Sequence, residues 1–100
     1  MKLMALIALV AQTAAVPIVR VWPQYPAEAL KARVQGVVIV RALVEKDGHV
    51  SRTRVEKPLP FGLAPAAEAA VRQWRFKPCR DKFDRPIRCS YLATVAFKLP

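Results

Sequence analysis

The chain has 100 residues and a formal net charge of +10, with 54% hydrophobic and 24% charged residues. That length allows one domain. The apolar content is enough for a core and excludes a disordered tail, and so basic a surface favours anionic partners.

Met1 and Lys2 supply a positive start, residues 3–10 form an unbroken apolar run, and Thr13-Ala14-Ala15 offers small side chains for a cleavage site. Residues 1–15 therefore read as a signal peptide, with a short membrane anchor as the rival reading. The apolar run is shorter than the about 20 residues of a span, and Gln12, Thr13 and Pro17 interrupt its extension. Residues 16–21 follow as an extended lead-in, because Pro17 and Pro23 oppose helix. Pro26 suits the first turn of a helix over residues 26–34, with Ala27, Leu30 and Val34 on one face and Gly36 as its C-cap. Glu28 near the start and Arg33 near the end complement the helix dipole.

Residues 37–45 are rich in β-branched side chains and predict a strand whose core face is Val38, Val40, Ala42 and Val44. Asp47-Gly48 signals a hairpin turn. A second strand spans about residues 49–56, where Val50 and Val55 have opposite parity and both point inward only across a bulge. Three breakers, Pro58, Pro60 and Gly62, make residues 57–62 a loop. A second helix is expected over residues 64–76, with Ala67, Val71 and Trp74 as its core-facing stripe, ended by Pro78. Residues 79–89 read as a polar loop. Residues 90–99 form the last strand, with Tyr91, Ala93, Val95 and Phe97 inward. This order implies an α+β domain with two helices packed on one face of a three-stranded antiparallel sheet. The other face then carries Val37, Ile39, Leu43, Leu92 and Ala96, an apolar patch that implies a weak homodimer or cover by residues 16–21.

Two cysteines and one histidine make no zinc site. In an oxidising compartment Cys79 and Cys89 are expected to form a disulfide, the alternative being two buried thiols. Glu28, Glu45, Glu56 and Glu68 show no acid/base spacing, and Ser51 and Ser90 lack an elbow sequence. His49 reads as a solvated turn residue. No enzyme and no cofactor are expected. Arg72, Arg75, Lys77, Arg80, Lys82, Arg85 and Arg88 face only Asp81 and Asp84 within the same stretch. The group Arg80, Lys82, Arg85 and Arg88 is a candidate basic patch for an acidic receptor stretch, cell wall (peptidoglycan) or anionic lipid. Nucleic acid is not expected as a partner of an exported protein.

Gln24-Tyr25-Pro26 followed by Ala29, Gly36-x-Val38-x-Val40, and Asp47-Gly48-x-Val50 resemble the TonB C-terminal domain family in order and spacing. So do Ala66-Ala67 through Ala70-Val71-Arg72, Trp74-Arg75-Phe76-x-Pro78, Pro86-Ile87 and Val95-x-Phe97. The likeness covers residues 22–100 as a TonB C-terminal-like domain. It implies a periplasmic module that captures the TonB box of an outer-membrane receptor as an added strand, in TonB-dependent transport. The implied contact residues are Gln24 and Tyr25 with Ser90, Tyr91, Leu92, Ala93, Thr94, Val95, Ala96, Phe97 and Lys98. If residues 1–15 are not cleaved, the module is tethered to the inner membrane. Energy transducers of that family carry a spanning helix and a long Pro-rich spacer, which this sequence lacks. The resemblance therefore implies binding without force transmission, or a fragment of a full transducer. The glycine usual before the family's late proline is replaced by Asp84-Arg85, and the two cysteines are additions. The competing reading is a non-enzymatic envelope protein that binds anionic wall or lipid through the basic loop.

Overall fold

The computed structural model describes residues 13–100. Its elements in chain order are β1 (Val16–Val19), α1 (Ala27–Lys31), β2 (Gly36–Val44), β3 (Val50–Lys57), α2 (Leu63–Val71), β4 (Arg75–Lys77), β5 (Cys79–Arg80), β6 (Pro86–Ile87) and β7 (Cys89–Phe97). The main sheet has the order β3-β2-β7, antiparallel throughout. Both helices lie on its inner face. Two short ribbons, β1-β4 and β5-β6, complete the chain.

Alternation builds the core. Val38, Val40, Ala42 and Val44 of β2 are fully buried, and Ala93, Val95 and Phe97 of β7 lie beside them. Leu63, Ala67 and Val71 of α2 close over this surface. Each fully buried Val or Leu contributes about 1.5–3 kcal/mol, so the period-two pattern of β2 fixes which face turns inward. The expected bulge is present. Val44 opposes Val50 and Leu43 opposes Arg52, which leaves Ser51 as the extra residue and turns both Val50 and Val55 to the core side. A second register shift falls between Ile39 and Val40.

Several local expectations are corrected. α1 has five residues and ends at Lys31. So short a helix turns less than twice, and a single position faces the core: Ala29 is fully buried, while Leu30 is 41% exposed. The C-cap is not Gly36. Arg33 takes φ 55°, and the N–H groups of Arg33 and Val34 bond back to the carbonyls of Leu30 and Ala29 at 3.1 and 3.0 Å. That pair of bonds closes a helix end whatever the side chain, provided the residue tolerates the left-handed conformation. Gly36 instead starts β2.

The second helix stops at Val71 rather than running to Phe76. The Trp74 N–H still bonds to the Val71 carbonyl at 3.0 Å, but the chain then extends as β4. β1 and the hairpin tip pull it out: Pro17 pairs with Phe76, and the Phe76 N–H donates to the Gly48 carbonyl at 2.9 Å. The lead-in is thus strapped to β4. Residues 79–89 are not a plain loop either. They form the β5-β6 ribbon, with Cys79 opposite Ile87 and Arg80 opposite Pro86. The last strand begins at Cys89, one residue earlier than expected.

Residues 1–12 of the expected signal peptide lie outside the described residues. Thr13 pairs with Arg80 through two backbone bonds of 3.2 Å, and Ala15 is buried. Cleavage after Ala15 would remove both contacts. Among the described residues no helix is long and apolar enough to cross a membrane.

Candidate functional site

An antiparallel sheet of three strands has two open edges, and here they differ. β3 carries both register shifts and exposes Arg52, Arg54 and Lys57. Bulges and charges of this kind block pairing with a further strand. β7 keeps an unbroken register with β2 across nine residues, from Gly36 opposite Phe97 to Val44 opposite Cys89. Among the described residues its other edge pairs with no strand.

The backbone groups on that edge follow from the ladder. The Glu45 N–H donates to the His49 carbonyl across the turn at 2.9 Å, so the backbone of Glu45 faces β3. Alternation then turns the backbones of Val44, Ala42, Val40 and Val38 toward β7. Their partners are Cys89, Tyr91, Ala93 and Val95. The N–H and C=O groups of Ser90, Leu92, Thr94 and Ala96 are left for the open side. The side chains of Tyr91, Ala93, Val95 and Phe97 point to the core, and those of Ser90, Leu92, Thr94, Ala96 and Lys98 are exposed.

Facing this edge is the lead-in. Arg20, Trp22 and Pro23 lie across a groove of about 230 Å³ from Thr94, Val95 and Ala96. Among the described residues no backbone hydrogen bond joins residues 20–23 to β7. Trp74 forms the floor of the groove and holds its wall, because its Nε1–H donates to the Val21 carbonyl at 3.2 Å. The Arg20 guanidinium stacks over the Trp74 ring at 5.6 Å.

Trp22 was not singled out by sequence reasoning. It is 89% exposed, the most exposed large apolar side chain among the described residues, and with Tyr25 it also lines a neighbouring recess beside Phe97 and Lys98. The available signal was its position: a Trp beside Pro23, before the first helix, has no element to carry it into the core.

Tyr25 and Gln24 have different places. The Tyr25 hydroxyl donates to the Val34 carbonyl, and its ring meets Phe97 edge-on at 5.4 Å. Tyr25 thereby fastens the lead-in to both the end of α1 and the end of β7. Gln24 is exposed and lines a separate recess against α2, with Ala66, Ala69 and Gln73.

Cys79 and Cys89 are joined as a disulfide with Cα atoms 6.1 Å apart. The ribbon between them carries the basic group, but most of its charge is internally paired. Arg85 meets Asp81 at 3.1 Å, Arg80 meets Asp84 at 3.8 Å, and Arg88 meets Glu45 at 3.0 Å. Lys82 is the one member of the group without an acidic partner among the described residues. Its ammonium and the Arg85 guanidinium flank the exposed Phe83 ring at 5.4 and 5.0 Å. The Asp81 carboxyl is held below its ordinary range, first by the Arg85 backbone N–H and then by that of Phe83 and the Arg85 side chain. Glu45 is lowered by the Ser51 hydroxyl and by Arg88. Among the described residues no group of His, Cys, Asp or Glu is arranged to hold a metal.

The chain resembles known proteins in sequence and in fold. A family described as the Gram-negative bacterial TonB protein C-terminal matches residues 21–99. The curated Protein TonB of Yersinia enterocolitica is 31% identical over 78 residues, which cover 77% of this chain and 28% of that protein. The chain thus corresponds to less than a third of that relative's length. The solution structure of the Pseudomonas aeruginosa TonB CTD superposes with a TM-score of 0.64 at 25% identity, covering 87% of this chain and 88% of the other. The chain belongs to the TonB C-terminal domain family.

Proposed function

We propose that this domain is a periplasmic binding module that captures an extended segment of an outer-membrane receptor as an added strand on the open edge of β7. The observation that carries this reading is the difference between the two edges: β7 is regular over nine residues, while β3 is bulged twice and charged. In strand addition, backbone bonds provide affinity and flanking side chains provide selection. Ser90, Leu92, Thr94 and Ala96 supply the backbone groups. The groove under Trp22 and Pro23 takes side chains of the incoming strand, and Tyr25 fixes the groove's far end. The family resemblance supports reading the incoming segment as a TonB box. On this reading residues 1–15 direct export, and the domain binds without chemistry of its own.

The test is titration with a peptide copying a receptor's TonB box, read by NMR amide shifts and calorimetry. Thr94→Pro removes a donor from the open edge and leaves the β2 ladder intact, so it is expected to weaken binding at least tenfold without unfolding the domain. Ala93→Pro removes a ladder donor and is expected to unfold it. Shifts confined to β3 or to the β5-β6 ribbon, or a Thr94→Pro variant that binds normally, would overturn the assignment.

A further inference from the structure

The sheet face turned away from the helices carries a feature that strand capture does not use. Arg41 of β2 and Arg54 of β3 are directly opposed in the register, and Leu43 opposes Arg52. All three arginines, with Leu43 and Ser90, line one shallow depression of about 420 Å³. Like charges placed directly opposite each other destabilise a sheet. One carboxylate relieves them: Glu56 Oε2 accepts from Arg54 at 2.9 Å and from Arg41 at 3.3 Å. Arg52 has no acidic partner among the described residues, so the depression keeps a positive excess. Beside it runs a strip of Ile39, Leu43 and Leu92, the last 50% exposed.

We infer that this face docks on an anionic phospholipid surface, the guanidiniums taking headgroup phosphates and the strip of Ile39, Leu43 and Leu92 resting at the headgroup boundary. Guanidinium forks match phosphate oxygens and are weakly hydrated, which suits them to this boundary. Charge complementarity selects this occupant over a second copy of the chain. An isologous contact through the same face would bring one set of three arginines against another. The three arginines stand on β2 and β3, while Ser90 and Leu92 of β7 give this face their side chains and the open edge their backbone groups, so docking on the face leaves the N–H and C=O groups of the edge free. The inference stands whether or not β7 captures a peptide.

The full chain is mixed with vesicles of phosphatidylcholine alone and of phosphatidylcholine with one-third phosphatidylglycerol, and the bound fraction is measured by sedimentation. The N-terminal apolar run is common to all variants and sets the phosphatidylcholine baseline. The wild type is expected to favour the anionic vesicles, and Arg41→Gln/Arg52→Gln/Arg54→Gln to lose roughly 100-fold of that preference, about fivefold for each of the three charges removed. The melting temperature and the β7 peptide affinity of the triple variant are expected to stay near wild type, and Lys82→Gln/Arg85→Gln in the ribbon to keep most of the vesicle preference. Equal binding of both vesicle types by the wild type overturns the inference. So does a triple variant that keeps the preference while folded, or a chain that binds soluble glycerol phosphate but not anionic vesicles. A concentration-dependent dimer strengthened by the triple variant would assign the face to self-association instead.

Discussion

Gly48 shows how one residue joins two parts of the fold. It takes φ 90°, and a Cβ built there would lie 2.0 Å from the Phe76 carbonyl oxygen. The hairpin tip can dock on β4 only because that position has no side chain. Gly48→Ala is expected to cost about 1–3 kcal/mol or more, seen as a lower denaturation midpoint, with the loss of the slowly exchanging Phe76 amide as its local signature. Asp84 presents the opposite case. It holds φ 62°, a conformation that glycine enters freely and aspartate tolerates. Asp84→Gly is expected to be neutral or stabilising by up to about 1 kcal/mol, because its exposed pair with Arg80 contributes little. Asp81 ties the same turn together through the Phe83 and Arg85 N–H groups at 2.8 and 3.0 Å. Its carboxyl is lowered in the folded chain, so its contribution is present above the ordinary carboxylate range and fades as pH falls through the lowered value, below about pH 4. The protection of the Phe83 and Arg85 amides, taken against the unprotected exchange rate at the same pH, is expected to fall in that window, and Asp81→Asn to show the lower protection already at neutral pH.

Among the elements, the β5-β6 ribbon depends most on its covalent closure. Two residue pairs are too few to hold a ribbon in water, and Cys79–Cys89 closes it at its base. Replacing both cysteines by serine is expected to cost roughly 2–3 kcal/mol and to broaden NMR signals across residues 80–88 while the main sheet stays intact. Thiol labelling in denaturant checks the premise: an intact disulfide leaves both sulfurs unreactive until reductant is added. The elements differ in how far the sequence announces them. β2, its hairpin, the β3 bulge and the inward face of β7 are legible because period two and Asp47-Gly48 act over a few residues. β1 and β4 are not. Their pairing joins residues about 60 positions apart (Val16 with Lys77), and Arg-Phe-Lys carries no strand signal of its own. α2 looks longer than it is because Trp74 continues the spacing of Ala67 and Val71, although the backbone has already left the helix. The apolar spacing in α1 misleads for a different reason, since a helix that short exposes Leu30 and buries only Ala29. The candidate edge is legible as the last strand. Its groove is not, because Trp22 and Arg20 reach it only through the tertiary bond from Trp74 to Val21.

Across the whole molecule, charge is less free than composition suggests. The net charge of +10 does not gather on the disulfide ribbon, where ion pairs with Asp81, Asp84 and Glu45 offset most of the cations. Changing Arg80, Lys82 and Arg85 together to Gln is therefore expected to slow association with a receptor peptide only about two- to threefold at low salt, with the dissociation rate unchanged. Stopped-flow measurement over a range of salt checks this, and a drop of a hundredfold would mean that the internal pairs open on encounter. The closure at Cys79 and Cys89 has one more consequence. A chain that leaves and re-enters the domain at points 6.1 Å apart behaves as an exchangeable cassette at its tip, because the contacts with the body of the domain run through Arg80, Ile87 and Arg88 near the base. Residues 81–85 are expected to tolerate replacement by an unrelated sequence, and lengthening that segment costs only about 0.6 kcal/mol per doubling. Any peptide grafted there would be displayed as a macrocycle on a small scaffold, with its ends already joined.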